Sequence, residues 1–126
     1  MKRIQQYQRI LSGRQTVPLF GYHPIDPLLR TLLVHAVYAN KEMDEAERHI
    51  MALLMPELPL EEMSSWLEAA AREPLDVDAI RNALPNRSDR FELVQLVRSL
   101  VSIDQNIDQP EQELLDALNH ALLDQP

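Results

Sequence analysis

Two acidic segments of similar sequence, 64 residues apart, constrain the fold more than any other feature of this chain. NKEMDEAE occupies residues 40–47, and DQNIDQPE occupies residues 104–111. The apolar residues around them also align: Leu32 with Leu96, Val37 with Val101, and Leu54 with Leu118. Each copy has the pattern of a long apolar helix, a short acidic turn and a second helix. Because two copies are too few for a solenoid, we predict two helical hairpins related by an approximate two-fold axis.

Prolines and short polar residues predict where the helices begin and end. The predicted helices are 1–11, 27–39, 44–55, 61–73, 77–84, 88–103 and one from 108 onward, with Asp26, Asp44, Asp76, Ser88 and Asp108 as N-caps. Trp66 and Phe91 are expected in the core. No segment shows the alternating, β-branched pattern of a strand. The sequence therefore predicts an all-α bundle of six to seven helices, with the helices at 61–84 bridging the two hairpins.

Composition and charge exclude several classes of function. The chain has 126 residues, no cysteine and a net charge of −8. Thiol catalysis and thiolate metal sites are excluded, and a cytoplasmic location fits the lack of cysteine. Apolar runs such as residues 32–39 are too short for a membrane span, which needs about 20 residues. A body this acidic repels a phosphate backbone, so we do not expect nucleic acid as a principal ligand.

The first 25 residues form a basic N-terminal arm, which we separate from a helical domain at residues 26–126. Residues 1–14 carry four basic side chains and no acid. A short basic amphipathic helix of this kind can bind a membrane or the groove of a partner, or it can pack on its own bundle. The candidate partner-binding residues are Lys2, Arg3, Ile4, Tyr7, Arg9 and Leu11.

The two acidic turns have a structural and a functional interpretation. Asp44 with Glu47, and Asp108 with Glu111, form capping boxes that stabilise a helix by about 1 kcal/mol per cap. Alternatively, the turns converge on a weak calcium or magnesium site. Its candidate ligands are Asn40, Glu42, Asp44, Glu47, Asp104, Asn106, Asp108 and Glu111. Neither turn is an EF-hand, because both lack its central glycine and its closing glutamate.

The repeated segments AVYANKEMDEAE at 36–47 and LVSIDQNIDQPE at 100–111 resemble the TerB-like (tellurite-resistance) superfamily of small bacterial helical domains. The resemblance covers roughly residues 26–123. It implies a helical bundle in a bacterial stress- or envelope-linked context, sometimes serving as an accessory module for other proteins. The turns of that family usually read Asp-Gly, whereas this chain has Asn40-Lys41 and Asp104-Gln105. Both departures weaken any inherited metal binding.

The sequence offers no catalytic constellation. Five of its serines lie in predicted helices or caps, namely Ser64, Ser65, Ser88, Ser99 and Ser102. The glycine patterns that hold phosphates are absent. We therefore expect a non-enzymatic domain that binds a protein partner, which a second copy of the chain could also be. The alternative is a domain that responds to divalent cations through the turns at 40–47 and 104–111.

Overall fold

The computed structural model describes residues 2–37, 45–101 and 109–123, and within them the chain is all-helical. Those residues form seven α-helices and contain no β-strand. The helices are α1 (Lys2–Leu11), α2 (Asp26–Val37), α3 (Glu45–Leu54), α4 (Leu60–Arg72), α5 (Val77–Ala83), α6 (Arg87–Val101) and α7 (Gln109–Leu122). The predicted fold class and number of helices are confirmed.

The helix α6 lies at the centre of the packing. It contacts α1, α7 and α2, while α2 also packs against α4. The helices α3 and α7 contact α1 and α5 respectively. One continuous apolar core joins residues from all seven helices. Each buried leucine in such a core stabilises the fold by about 2 kcal/mol relative to an exposed one.

The apolar residues that align between the two halves of the sequence are all buried. Their exposed fractions are 2% or less in every case: Leu32, Leu96, Val37, Val101, Leu54 and Leu118. The described part of α3 starts at Glu45 and that of α7 at Gln109. These are the residues that follow the predicted caps, which themselves lie outside the described residues.

Of three predicted N-caps, one is confirmed and the other two have different roles in the structure. Asp76 caps α5 as expected, since its carboxylate accepts a hydrogen bond from the Ala79 N–H at 3.0 Å. The predicted cap Ser88 is wrong. Asn86 caps α6 instead, because its side-chain oxygen accepts from the Ser88 N–H at 3.0 Å. Asp26 is the first residue of α2, and its carboxylate binds other partners that are described below.

Two aromatic residues are less buried than the helical pattern predicted. Phe91 is 51% exposed and Trp66 is 36% exposed. Their neighbours Leu93 and Met63 occupy the buried faces of α6 and α4 instead. Both aromatic rings therefore lie at the edge of an apolar stripe, where a period of 3.6 residues does not distinguish core from surface.

The N-terminal helix α1 is part of the core. Ile4, Tyr7 and Leu11 are buried against the rest of the bundle, chiefly against α6 and α3. The amphipathic pattern of the arm is thus used within the chain itself. Among the described residues, no helix combines the length and the hydropathy that a bilayer span requires.

Candidate functional site

The guanidinium of Arg3, on α1, organises the loop that precedes α2. Its Nε and Nη2 donate to the two carboxylate oxygens of Asp26 at 2.8 and 2.7 Å. Its remaining N–H groups donate to the Gln6 side chain and to the carbonyl oxygens of Phe20 and Gly21, at 2.9 to 3.0 Å. All five donors of the guanidinium are thus used. Arg3 therefore joins α1, the loop and α2 into one unit.

The carboxylate of Asp26 is equally saturated. It also accepts from the Tyr7 hydroxyl and from the His23 N–H, each at 3.0 Å. Burial by itself would raise the pKa of Asp26, but the hydrogen bonds from Arg3, His23 and Tyr7 lower that pKa below its ordinary value. Asp26 is 1% exposed. The ion pair is therefore a structural element and is not available to a ligand.

The hydroxyl of Tyr7 stays protonated at all ordinary pH values. Burial and the nearby Asp26 charge raise the pKa of Tyr7 well above its ordinary value, and the charge of Arg30 lowers it only in part. Tyr7 is fully buried, and its ring lies beside the Arg3 guanidinium. Tyr7 thus donates permanently to Asp26 and fixes the position of the carboxylate.

The loop held by Arg3 carries two exposed aromatic residues. Phe20 is 75% exposed and Tyr22 is 76% exposed. Between them, Gly21 has a φ of +77°, which side chains other than glycine rarely adopt. We call residues 20–22 the aromatic loop. Its backbone is fixed by Arg3 while its two large side chains face solvent.

A cavity of about 200 Å³ lies beside the aromatic loop. Its lining residues are Tyr22, Asp26, Pro27, Arg30, Thr31 and Trp66. The cavity therefore joins the loop to α2 and α4. Arg30 is ion-paired with Glu57, which follows α3 and is 58% exposed. Two aromatic side chains and a neutralised cation make this a concave surface suited to binding a side chain from a partner.

Four of the six residues predicted for partner binding are buried in this structure. Arg3 binds Asp26 and the backbone of the aromatic loop. The side chains of Ile4, Tyr7 and Leu11 belong to the core. These four cannot contact a partner while α1 is packed, so that prediction is corrected for them. Lys2 and Arg9 are exposed on α1.

Most of the predicted cation ligands lie outside the described residues. These are Asn40, Glu42, Asp44, Asp104, Asn106 and Asp108. The other two, Glu47 and Glu111, are 8% and 4% exposed in the first turns of α3 and α7. Within the described ranges, no three acidic or histidine side chains are grouped as metal ligands would be. The weak calcium or magnesium site stays a prediction.

The aromatic loop was not predicted from the sequence. The available signal was the composition of residues 19–23, LFGYH, where two aromatic residues flank a glycine in a segment without helical periodicity. The cavity also needs Trp66, which is far away in sequence. The aromatic loop and Trp66 are brought together only by the tertiary packing of the helices.

Comparisons were made with protein families, with curated proteins and with solved structures. No family model, curated protein or solved structure matches this chain.

Proposed function

We propose that this chain is a non-enzymatic protein-interaction domain that binds its partner through the aromatic loop and the adjacent cavity. The observation that carries the proposal is the exposure of Phe20 and Tyr22 on a backbone held by a buried ion pair. Aromatic residues of this kind dominate the binding energy of protein interfaces. The TerB-like resemblance of the repeat supports the same role, because it implies a bacterial stress- or envelope-linked domain that sometimes serves as an accessory module for other proteins. A cytoplasmic location, which fits the lack of cysteine, is part of the proposal.

The rigidity of the loop favours binding. A flexible loop loses conformational freedom when it binds, at a cost of about 0.5–1.5 kcal/mol for each ordered side chain. Here three backbone positions are already fixed, since Arg3 holds two carbonyl groups and Asp26 holds the His23 N–H. The exposed rings need to lose only their own side-chain freedom. The loop is thus preorganised for recognition.

Within the part of the chain that the structure describes, the site occurs once. We also propose that the two halves of the bundle are related by an approximate two-fold axis, supported by the packing of α1 on α6 and of α4 on α2. The residues that match Phe20 and Tyr22 in the second half, 64 positions later, are Leu84 and Asn86. Leu84 is fully buried. The aromatic loop is therefore a specialised feature of the first half and not a consequence of the repeat.

Site-specific crosslinking tests the proposal. A photoreactive phenylalanine analogue is placed at Tyr22, and a matched variant carries it at Phe91, an exposed aromatic position on α6. After irradiation in cells of the natural source, we expect one protein to be crosslinked from position 22 and not from position 91. That protein, once purified, should bind the chain at least tenfold more weakly when Phe20 and Tyr22 are both replaced by serine.

Two results contradict the proposal. Equal crosslinking from positions 22 and 91 would show that the aromatic loop has no special role. Unchanged affinity after the double serine substitution would show that the captured protein binds elsewhere. An adduct of twice the mass of the chain would identify the partner as a second copy. The thermal midpoint of each variant serves as the folding control.

A further inference from the structure

The charges around the cavity indicate the chemistry of the partner. The helix α4 contributes Trp66 to the cavity and carries three acidic residues, Glu61, Glu62 and Glu68, against one base, Arg72. Glu62 precedes Trp66 by one helical turn, so the two side chains share one face of α4. Both are exposed. The rim of the cavity on the α4 side is therefore both aromatic and acidic.

Both arginines near the cavity have an ion-pair partner within the chain, and among the described residues the buried Nε of Arg30 has no hydrogen-bond partner. Arg3 is paired with Asp26, and Arg30 is paired with Glu57. Arg30 is the one basic residue among the six that line the cavity. Glu62 is then the acidic side chain on the same face of α4 as Trp66. This agrees with the net charge of −8 for the chain.

From these observations, and resting on the proposed function, we infer that the partner presents a basic segment with a lysine or arginine side chain that enters the cavity. A cation placed against the faces of Tyr22 and Trp66 is attracted by their π-systems. Its charge then meets the carboxylate of Glu62 at the rim. The apolar stem of the same side chain packs against Pro27 and Thr31, which also line the cavity.

The ion pair of Arg30 favours a basic partner over an acidic one. An acidic partner could displace Glu57 and pair with the Arg30 guanidinium. That exchange replaces one carboxylate by another and leaves Glu57 unpaired, so it gains little. It would also bring the partner's acid close to Glu62. A basic side chain adds a new pair without breaking an existing one.

Selection from a library of random twelve-residue peptides displayed on phage tests the inference. The immobilised chain is the target, and the variant with serine at Phe20 and Tyr22 is screened in parallel, without subtraction, for comparison. We expect the enriched peptides to carry net positive charge with at least one arginine or lysine in common. A synthetic copy of the most enriched peptide should bind at least tenfold more weakly to Glu62→Lys, and more weakly as salt concentration rises.

Glu68→Lys is the matched control. It introduces the same charge change into the same helix, on the other side of the buried stripe that Leu67 marks. We expect it to reduce the affinity by less than threefold, while both variants keep the thermal midpoint of the parent chain. Equal losses in the two variants would show that only net charge matters, and would overturn the assignment of the basic side chain to this cavity.

The failures of the two proposals are distinguishable. Enriched peptides that need Phe20 and Tyr22 but are neutral or acidic would overturn the basic partner and leave the interaction surface intact. Peptides that bind equally well to the double serine variant would overturn the surface itself.

Discussion

The segments that precede α2 and α6 have matching positions in the repeat but different structures. The helix α6 begins at Arg87, whereas α2 begins at Asp26, whose counterpart in the second half is Arg90. The helix α2 therefore starts three residues later than α6 in the frame of the repeat. Phe20 is 75% exposed, while its counterpart Leu84 is fully buried. The later start of α2 leaves a loop, and this loop displays the aromatic side chains.

A guanidinium binds a carbonyl group at the same place in both segments. Arg3 donates to the Phe20 carbonyl oxygen at 2.9 Å, and Arg90 donates to the Leu84 carbonyl oxygen at 2.6 Å. Arg3 comes from a separate helix, is buried and is paired with Asp26. Arg90 belongs to α6 itself and is half-buried. The first loop therefore depends on a buried ion pair between distant segments, whereas the second is stabilised locally.

The largest expected effect follows from breaking the buried pair. Asp26→Ala leaves the Arg3 charge buried and should lower the free energy of unfolding by about 3–5 kcal/mol, measured by denaturant titration. The double variant Arg3→Met with Asp26→Leu is the control. Because it removes both charges, it should recover part of that loss, while the Tyr7 hydroxyl left without its acceptor keeps the variant below the parent chain. A loss below about 1 kcal/mol in Asp26→Ala would mean that the two segments do not differ as proposed.

Acid should remove the contribution of the buried ion pair to the free energy of unfolding in a defined pH range. The pKa of Asp26 is lowered in the folded state, so its contribution is fully present above the unfolded pKa of about 3.9. It is lost as the pH falls through the lower, folded pKa. The free energy of unfolding of the parent chain should therefore fall more steeply below pH about 4 than that of the double variant, which lacks the carboxyl group. Parallel curves for the two proteins would contradict this assignment.

The sequence predicted most of the fold because the relevant signals are local. Helical periodicity identified the buried faces, and Asp76 capped α5 as expected. Prolines indicated the helix ends to within one or two residues. The choice between Asn86 and Ser88 failed because both are good N-cap residues and lie two positions apart. Local patterns define helices well but do not fix the exact residue at which each helix begins.

The candidate site could not be predicted in the same way. Arg3 and Asp26 are 23 residues apart, and each had a local explanation, as a surface base and as a helix cap. A buried ion pair between two segments leaves no periodic signal. The cavity has the same property, since Tyr22 and Trp66 meet only after α2 packs against α4. Tertiary contacts of this kind require the structure.

An intermediate effect is expected from a substitution that affects the segment preceding α6. Arg90→Gln removes the strong hydrogen bond to Leu84 and the longer contact to the Arg81 carbonyl at 3.4 Å. No buried charge is left behind, so the free energy of unfolding should fall by about 1 kcal/mol, the usual value of such a bond. Denaturant titration beside Asp26→Ala measures the ratio of the two losses. Equal losses would remove the distinction between tertiary and local stabilisation.

The smallest effect is expected from the exposed ion pair at the cavity. The side chains of Arg30 and Glu57 are 22% and 58% exposed, so water and salt screen their attraction. Glu57→Gln keeps the shape of the side chain and removes only its charge. It should lower the free energy of unfolding by less than about 0.5 kcal/mol, and this loss should disappear at 1 M salt. Arg30→Gln measures the same pair from its other side, although it also changes the wall of the cavity. A loss from Glu57→Gln near that of Asp26→Ala, independent of salt, would show that burial does not set the strength of ion pairs in this bundle.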